Sequence, residues 1–199
     1  MIVHDLEQGT DEWFSVRLGI PTASRFADIY TSTGKVAAGQ SKYMHTLAAE
    51  WLMGGKVETY QNEHMIRGNE LEPEARAYYE FESGLDVEQT GFITTDDGLI
   101  GGSPDGLTEP GGLEIKCPTP QVHVEYLLAG KCPAKYYPQV QGLMFLTGKE
   151  HWDFMSYHPE MPQQLIVRVE RDHKWITGFI DEIAKFNTKL LSMREKLAA

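Results

Sequence analysis

Between Asp86 and Cys117 the apolar residues change their spacing, and this change limits the fold more than any other feature of the chain. Upstream, Met44, Leu47, Ala48, Trp51 and Leu52 recur at the three-to-four interval of one helix face, as do Leu71, Ala75, Tyr78 and Tyr79. From Asp86 to Thr94 the pattern is that of a strand. Asp96-Asp97-Gly98 then reads as a turn, Leu99 to Ser103 as a second strand, and Glu109-Pro110-Gly111-Gly112 as a turn into Leu113 to Cys117. These runs predict an antiparallel meander. Helical spacing returns over 119–129 and 133–147, His151 to Tyr157 and Gln164 to Glu170 read as strands, and Asp172 to Lys196 as an amphipathic helix. The order is that of an α/β fold in which helices flank a sheet.

The upstream helices have their own signals. Thr22 can cap a short helix running to Tyr30, and Ser41 a second. Asn69 followed by Glu72 forms a capping box for a third, over Asn69 to Glu82. That start puts Pro73 in the first turn, where its missing N–H costs nothing; an earlier start would leave Pro73 inside the helix and kink it.

No repeat, low-complexity run or Pro/Ser-rich linker interrupts the 199 residues, which suit a single domain. No apolar run of roughly 18 residues exists, and the first residues resemble no signal peptide, so a soluble, cytoplasmic protein is expected. Cys117 and Cys132 are too few for a thiolate metal cluster and read as reduced thiols. The seven histidines include no pair at zinc-ligand spacing, and no Gly-X-X-X-X-Gly-Lys loop is present, so neither zinc nor a nucleotide cofactor is expected.

A net charge of -11 argues against nucleic acid, but the charge is polarised. Residues 61–110 hold 12 acidic and 2 basic side chains, whereas 13–56 carry Arg17, Arg25, Lys35, Lys42 and Lys56 against only Asp28 and Glu50. Carboxylates that bind a divalent cation would also gather in the acidic block.

Two segments carry chemistry: Ser103-Pro104-Asp105-Gly106-Leu107, and Leu113-Glu114-Ile115-Lys116. Side chains alternate along a strand, so Glu114 and Lys116 share a face while Ile115 points into apolar packing. Asp105, across a hairpin-like connection, can meet Glu114. Two converging acids beside an ammonium suit Mg²⁺, which takes one or two carboxylates together with waters and a phosphate oxygen. Glu72 offers a further acid, and Lys116 a point charge that can orient a water or stabilise developing negative charge.

With these motifs the chain resembles the PD-(D/E)xK nucleases, and among them the phage lambda exonuclease or YqaJ-type viral recombinase family. The resemblance spans Trp13-Phe14-Ser15-Val16-Arg17-Leu18-Gly19-Ile20 with Thr22-Ala23-Ser24, and Gly68-Asn69-Glu70-Leu71-Glu72 with Ala75-Arg76. It continues through Ser103 to Leu107, Leu113-Glu114-Ile115-Lys116-Cys117-Pro118, and Gln139-Val140-Gln141. Related RecB-type nucleases carry Gln-X-X-X-Tyr after the catalytic strand; here Phe145 follows Gln141 at that spacing, which favours the lambda-type branch.

The resemblance implies a restriction-endonuclease-like core, with a mixed central sheet flanked by helices, in one nuclease domain over 1–199. It implies a Mg²⁺-dependent enzyme with a two-metal site, in which Mn²⁺ can substitute. Such an enzyme digests the 5′ strand of duplex DNA from its end and leaves a 3′ single strand for recombination by annealing. By the same resemblance Asp105, Glu114 and the Ile115 carbonyl are metal ligands, Glu72 supports the metal or its water, and Lys116 handles the nucleophile. Arg17, Ser24, Ser103 and Gln141 form a pocket for the 5′-phosphate, and Trp13 stacks on DNA or packs in the core. The physical chemistry agrees: Arg17 offers bidentate donors to phosphate, and Ser24 would lie in a helix's first turn, where free N–H groups favour an anion. A homotrimeric ring around duplex DNA and a single-strand annealing partner are also implied. An endonuclease selective for DNA structure, and a non-catalytic end-binding subunit, are the competing readings.

Overall fold

The extended run 86–117 divides between two sheets instead of forming one meander. The computed structural model describes residues 1–55, 57 and 63–199; Lys56 lies outside them, as do the side chains of His64 and Asn69. In chain order these residues form β1 (Ile2–His4), α1 (Asp11–Arg17), a 3-10 helix (Ala23–Asp28), α2 (Gln40–Met53), α3 (Glu63–Ser83), β2 (Phe92–Thr94), β3 (Gly101–Gly102), β4 (Gly106–Leu107), β5 (Gly112–Lys116), α4 (Pro120–Ala129), α5 (Tyr137–Thr147), β6 (His151–Ser156), β7 (Leu165–Glu170) and α6 (His173–Ala198). One sheet has the order β1-β2-β3, all antiparallel; its first strand carries no sequence signal strong enough to predict it. The division falls at Pro104, which has no N–H to continue a ladder.

The second sheet, β4-β5-β6-β7, is mixed: β5 and β6 are parallel and the outer pairings antiparallel. A parallel pair needs a crossover, and α4 and α5 supply it. Leu113 and Ile115 share a face with Met155 and pack on Ala75 and Tyr79 of α3. Each such fully buried side chain contributes roughly 1.5–3 kcal/mol. Glu114 and Lys116, in register with Phe154 and Ser156, turn to the opposite face, where Tyr126 of α4 packs on Phe154. Strand β5 is thus anchored by apolar contacts on one face and presents its charges on the other.

α3 starts at Glu63, so Pro73 is interior and the proposed capping box does not form. Glu72 bonds Arg76 one turn later, an i,i+4 pair. The segment after Thr22 is a short 3-10 helix, and Thr22 makes no side-chain capping bond; Ser41 lies inside α2, which Gly39 caps. Gly102 lets the sheet meet these helices, since a Cβ there would fall 2.8 Å from both Ala23 and Leu143. The closeness brings Ser24 and the first turns of α5 beside Ser103. No helix among the described residues is long and apolar enough to cross a membrane.

Candidate active site

Most of the side chains that the sequence singles out face one cleft of about 670 Å³. Trp13, Arg17, Ser24, Glu72, Ser103, Asp105, Ile115 and Lys116 line it, and Glu114 is fully buried in its wall. Asp105 sits in the link between β3 and β4, where its Oδ2 accepts the Ile115 N–H at 2.6 Å. In a strand the N–H and C=O of one residue point to the same edge, so the Ile115 carbonyl faces the side that Asp105 occupies. Gln8 secures the link, donating to the carbonyls of Thr90 at 3.0 Å and Pro104 at 3.1 Å.

Glu114 forms an ion pair with Lys116. Beyond that pair, neither of its buried carboxylate oxygens has a hydrogen-bond donor. Burial, and after it the charge on Asp105, pushes Glu114 up to about 8; the same two causes push Glu72 up to about 7. Burial also raises Asp105. Burial opposes the charge on Lys116, but Glu114 and Asp105 outweigh it and hold the ammonium above its ordinary value. Arg76 fixes the geometry: its Nη2 donates to Glu72 Oε1 at 2.5 Å and its Nε to the Asp105 carbonyl at 3.2 Å.

Among the described residues no three His, Cys, Asp or Glu side chains converge tightly enough to enclose an ion by themselves. Mg²⁺ keeps several waters and needs only one or two carboxylates. Asp105 and Glu114 are hard oxygen donors and the Ile115 carbonyl is a third, and beyond the Lys116 ammonium the buried Glu114 carboxylate has no donor. The residues therefore fit the group. Cys117 also lines the cleft, but burial, reinforced by Glu72, pushes its thiol up to about 11; burial pushes Cys132 up to about 12. Both remain thiols.

At the other end the polarity reverses. The Arg17 guanidinium lies 3.8 Å from the centroid of the Trp13 ring and 5.2 Å from that of Phe92, and its Nη1 donates to Ser103 Oγ at 3.0 Å. The Trp13 indole N–H is shared between Ser103 Oγ at 3.0 Å and the Gly91 carbonyl at 3.1 Å. Thr10 caps α1 at the Trp13 N–H, one turn before Arg17. No carboxylate stands within ion-pair distance of Arg17 among the described residues. Burial brings the guanidinium down to about 10, so it is cationic at neutral pH. Ser24 is exposed beside it, with its Oγ 3.5 Å from that of Thr22.

Gln141 is a correction. It is fully buried away from the cleft, where Nε2 donates to the Glu170 carbonyl and Oε1 accepts the Asp172 N–H, each at 2.8 Å. Gln139 lines the cleft in its place. Two residues along a helix turn about 200°, so only one of the pair can face the site. Trp13 is half-buried in the cleft wall, where it positions Arg17 and Ser103. Arg76, Gln8, Lys135 and Tyr136 were not assigned roles from sequence. The i,i+4 relation to Glu72 was the available signal for Arg76.

The profile of the YqaJ-like viral recombinase domain matches residues 12–150. Among solved structures, the chain is similar to an alkaline exonuclease from Laribacter hongkongensis, at 39% identity over 95% of this chain and 96% of that one, with a TM-score of 0.87. The same protein in complex with dAMP matches at 39% identity over 94% and 96%, with a TM-score of 0.84. A phage-related exonuclease from Haemophilus somnus, at 18% identity over 87% and 96% and a TM-score of 0.67, shares the fold. No curated protein matches the chain. The mixed sheet flanked by helices is the restriction-endonuclease-like core that the motifs imply.

Proposed function

The chain belongs to the YqaJ-like viral recombinase family, and from that premise we propose that it is a Mg²⁺-dependent exonuclease that digests the 5′ strand of duplex DNA from an end. The observation that carries this reading is the buried Glu114, with no donor beyond Lys116, beside Asp105 in a cleft whose other end holds an Arg17 that has no carboxylate partner among the described residues. The related alkaline exonuclease has been seen with dAMP, a mononucleotide of the kind such a reaction releases.

Arg17, aligned by Trp13, binds the 5′-terminal phosphate through its forked donors, with Ser24, Ser103 and Gln139 completing the pocket. Asp105, Glu114 and the Ile115 carbonyl would hold the metal, which would supply charge neutralisation at the scissile phosphate and a lowered pKa for a water. Lys116 orients the attacking water and stabilises the developing charge. Glu72, held by Arg76, supports that water from the α3 side. The products are a 5′ mononucleotide and a receding duplex with a 3′ single strand, which an annealing protein receives. In this reading the working form is a homotrimeric ring threaded by the duplex.

A time course on end-labelled linear duplex, with and without Mg²⁺, tests the proposal. Mononucleotide release from the 5′ end that stops in chelator is the expected result. Cleavage of covalently closed circular duplex at the same rate as linear duplex would make the protein an endonuclease.

A further inference from the structure

Three cations line the cleft: Arg17, Lys116 and Lys135. The first two have assigned partners, Ser103 and Glu114. Lys135 is exposed and has no carboxylate partner among the described residues. Its ammonium stands 4.8 Å from the centroid of the Tyr136 ring and 5.6 Å from that of Tyr126, within the range of a cation–π attraction. The platform beneath it is rigid. Tyr136 stacks on Phe154 at 5.5 Å and 26°, Tyr126 meets both rings edge-on, and Phe154 is fully buried in β6.

A second observation lies beside the first. Tyr126 is 7% exposed on the cleft wall, and the hydroxyls of Tyr126 and Tyr136 hydrogen-bond with the Lys135 side chain, which holds the ammonium over their rings. Lys116 also lies over the Tyr136 ring, 5.3 Å from its centroid. The catalytic ammonium and Lys135 therefore share one ring and are within reach of consecutive phosphates of a single strand.

We infer that Lys135, Tyr126 and Tyr136 form a phosphodiester subsite for the next phosphate of the digested strand, beyond the scissile bond. The inference rests on the exonuclease reading above. Arg17 would then hold the terminal phosphate, Lys116 the scissile one, and Lys135 the one that follows. Lys135 would act on strand alignment, and its effect would be independent of whether the end carries a phosphate.

The test is single-turnover release of a labelled 5′ nucleotide from two duplexes. One is all-phosphate; the other carries a neutral methylphosphonate at the second linkage from the 5′ end. Lys135→Gln should lower kcat/KM about tenfold on the first duplex and have no effect on the second, as expected for one charge-assisted contact. Lys135→Arg should retain most of the wild-type rate. An equal fall on both duplexes, or no fall on either, overturns the subsite. Wild-type behaviour separates the two levels: if the wild type degrades linear duplex from its 5′ end, a missing coupling removes only Lys135. If it leaves linear duplex intact, the exonuclease reading falls and the subsite with it.

Discussion

The two ends of the cleft are built from opposite deficits. Around Glu114 the charges of Asp105 and Glu72 add to burial, and the carboxylate has no donor beyond Lys116; around Arg17 a guanidinium lies against two rings and, among the described residues, lacks an acid. The acidic end is held by charges that resist one another, with only Lys116 and Arg76 in compensation. The cationic end is held by a hydroxyl and by the faces of Trp13 and Phe92, which fix an Arg without neutralising it. Each end is complete only with a ligand of the opposite sign. One cleft can therefore hold a cation and a phosphate side by side. The chain's charge of -11 obscures this, because Glu70, Glu74, Glu82, Asp86, Glu88, Asp96, Asp97 and Glu109 of the acidic block are exposed and, among its described side chains, Glu72 and Asp105 are the acids that line the cleft.

The largest effect should come from removing the cation that pairs with Glu114. In the proposed reading, Lys116→Ala deletes the group that faces both the scissile phosphate and the Glu114 carboxylate. Losing one preorganised donor at developing charge costs about 10²–10³ in kcat, so the variant should fall by at least that much. DNA binding, measured by anisotropy on the same duplex, should change little, because the cationic end is untouched. Unaltered turnover would remove Lys116 from the chemistry.

At the other end Arg17→Ala should separate the two deficits. Hydrogen bonds to charged groups contribute about 1.5–3 kcal/mol, so kcat/KM on 5′-phosphorylated ends should drop roughly ten- to a hundredfold. On 5′-hydroxyl ends, which give Arg17 no anion, the drop should be slight. Equal losses on both would mean that Arg17 supports the fold and does not read the end.

The acidic end also makes a prediction about stability without DNA. Glu114 titrates at about 8 in the fold against an ordinary 4.5, so the folded chain binds this proton more tightly than the unfolded one. Its contribution is fully present below about pH 4.5 and is lost as pH rises through 8. Glu114→Gln keeps the shape and removes the titration. In chelator, the Tm of this variant minus that of the wild type should therefore increase by several degrees between pH 5 and pH 9, and Mg²⁺ should close the gap at the alkaline end. A gap that is constant across pH would show that Glu114 carries no such strain.

How much of this was legible in the sequence depended on whether a signal was local. The alternation that puts Glu114 and Lys116 on one face needs only the strand, and it holds in β5. The helices flanking the sheet followed from apolar period, and the ends of α4 and of β6 fall within a residue or so of the expected positions. Non-local features were hidden. The start of α3 was not legible because the capping pattern at Asn69 is a local signal, whereas the helix runs on upstream of it from Glu63. Strand β1 has three residues and forms only because β2 offers it an edge. The meander divided because Pro104 interrupts a ladder that apolar spacing alone would continue. Arg76 shows its role only when Glu72 and the Asp105 carbonyl are seen together.

The smallest effect on catalysis, and the sharpest on this distinction, lies in the Gln139-Val140-Gln141 triplet. Gln141 bridges the Glu170 carbonyl and the Asp172 N–H, so Gln141→Ala leaves both without that partner at the junction of β7 and α6. Each unsatisfied buried group costs about 1–3 kcal/mol, and each kcal/mol lowers Tm by about 2–4 °C in a chain of this size. The variant should melt several degrees early yet, at a temperature where it is folded, keep the wild-type preference for phosphorylated ends. Gln139→Ala should do the reverse: a Tm within a degree or so of wild type, and a loss of that preference by about three- to tenfold, as for one neutral donor. If Gln141→Ala were the variant that lost end preference at full stability, the helix would present its other face to the DNA, and the pocket around Arg17 and Ser103 would have to be redrawn.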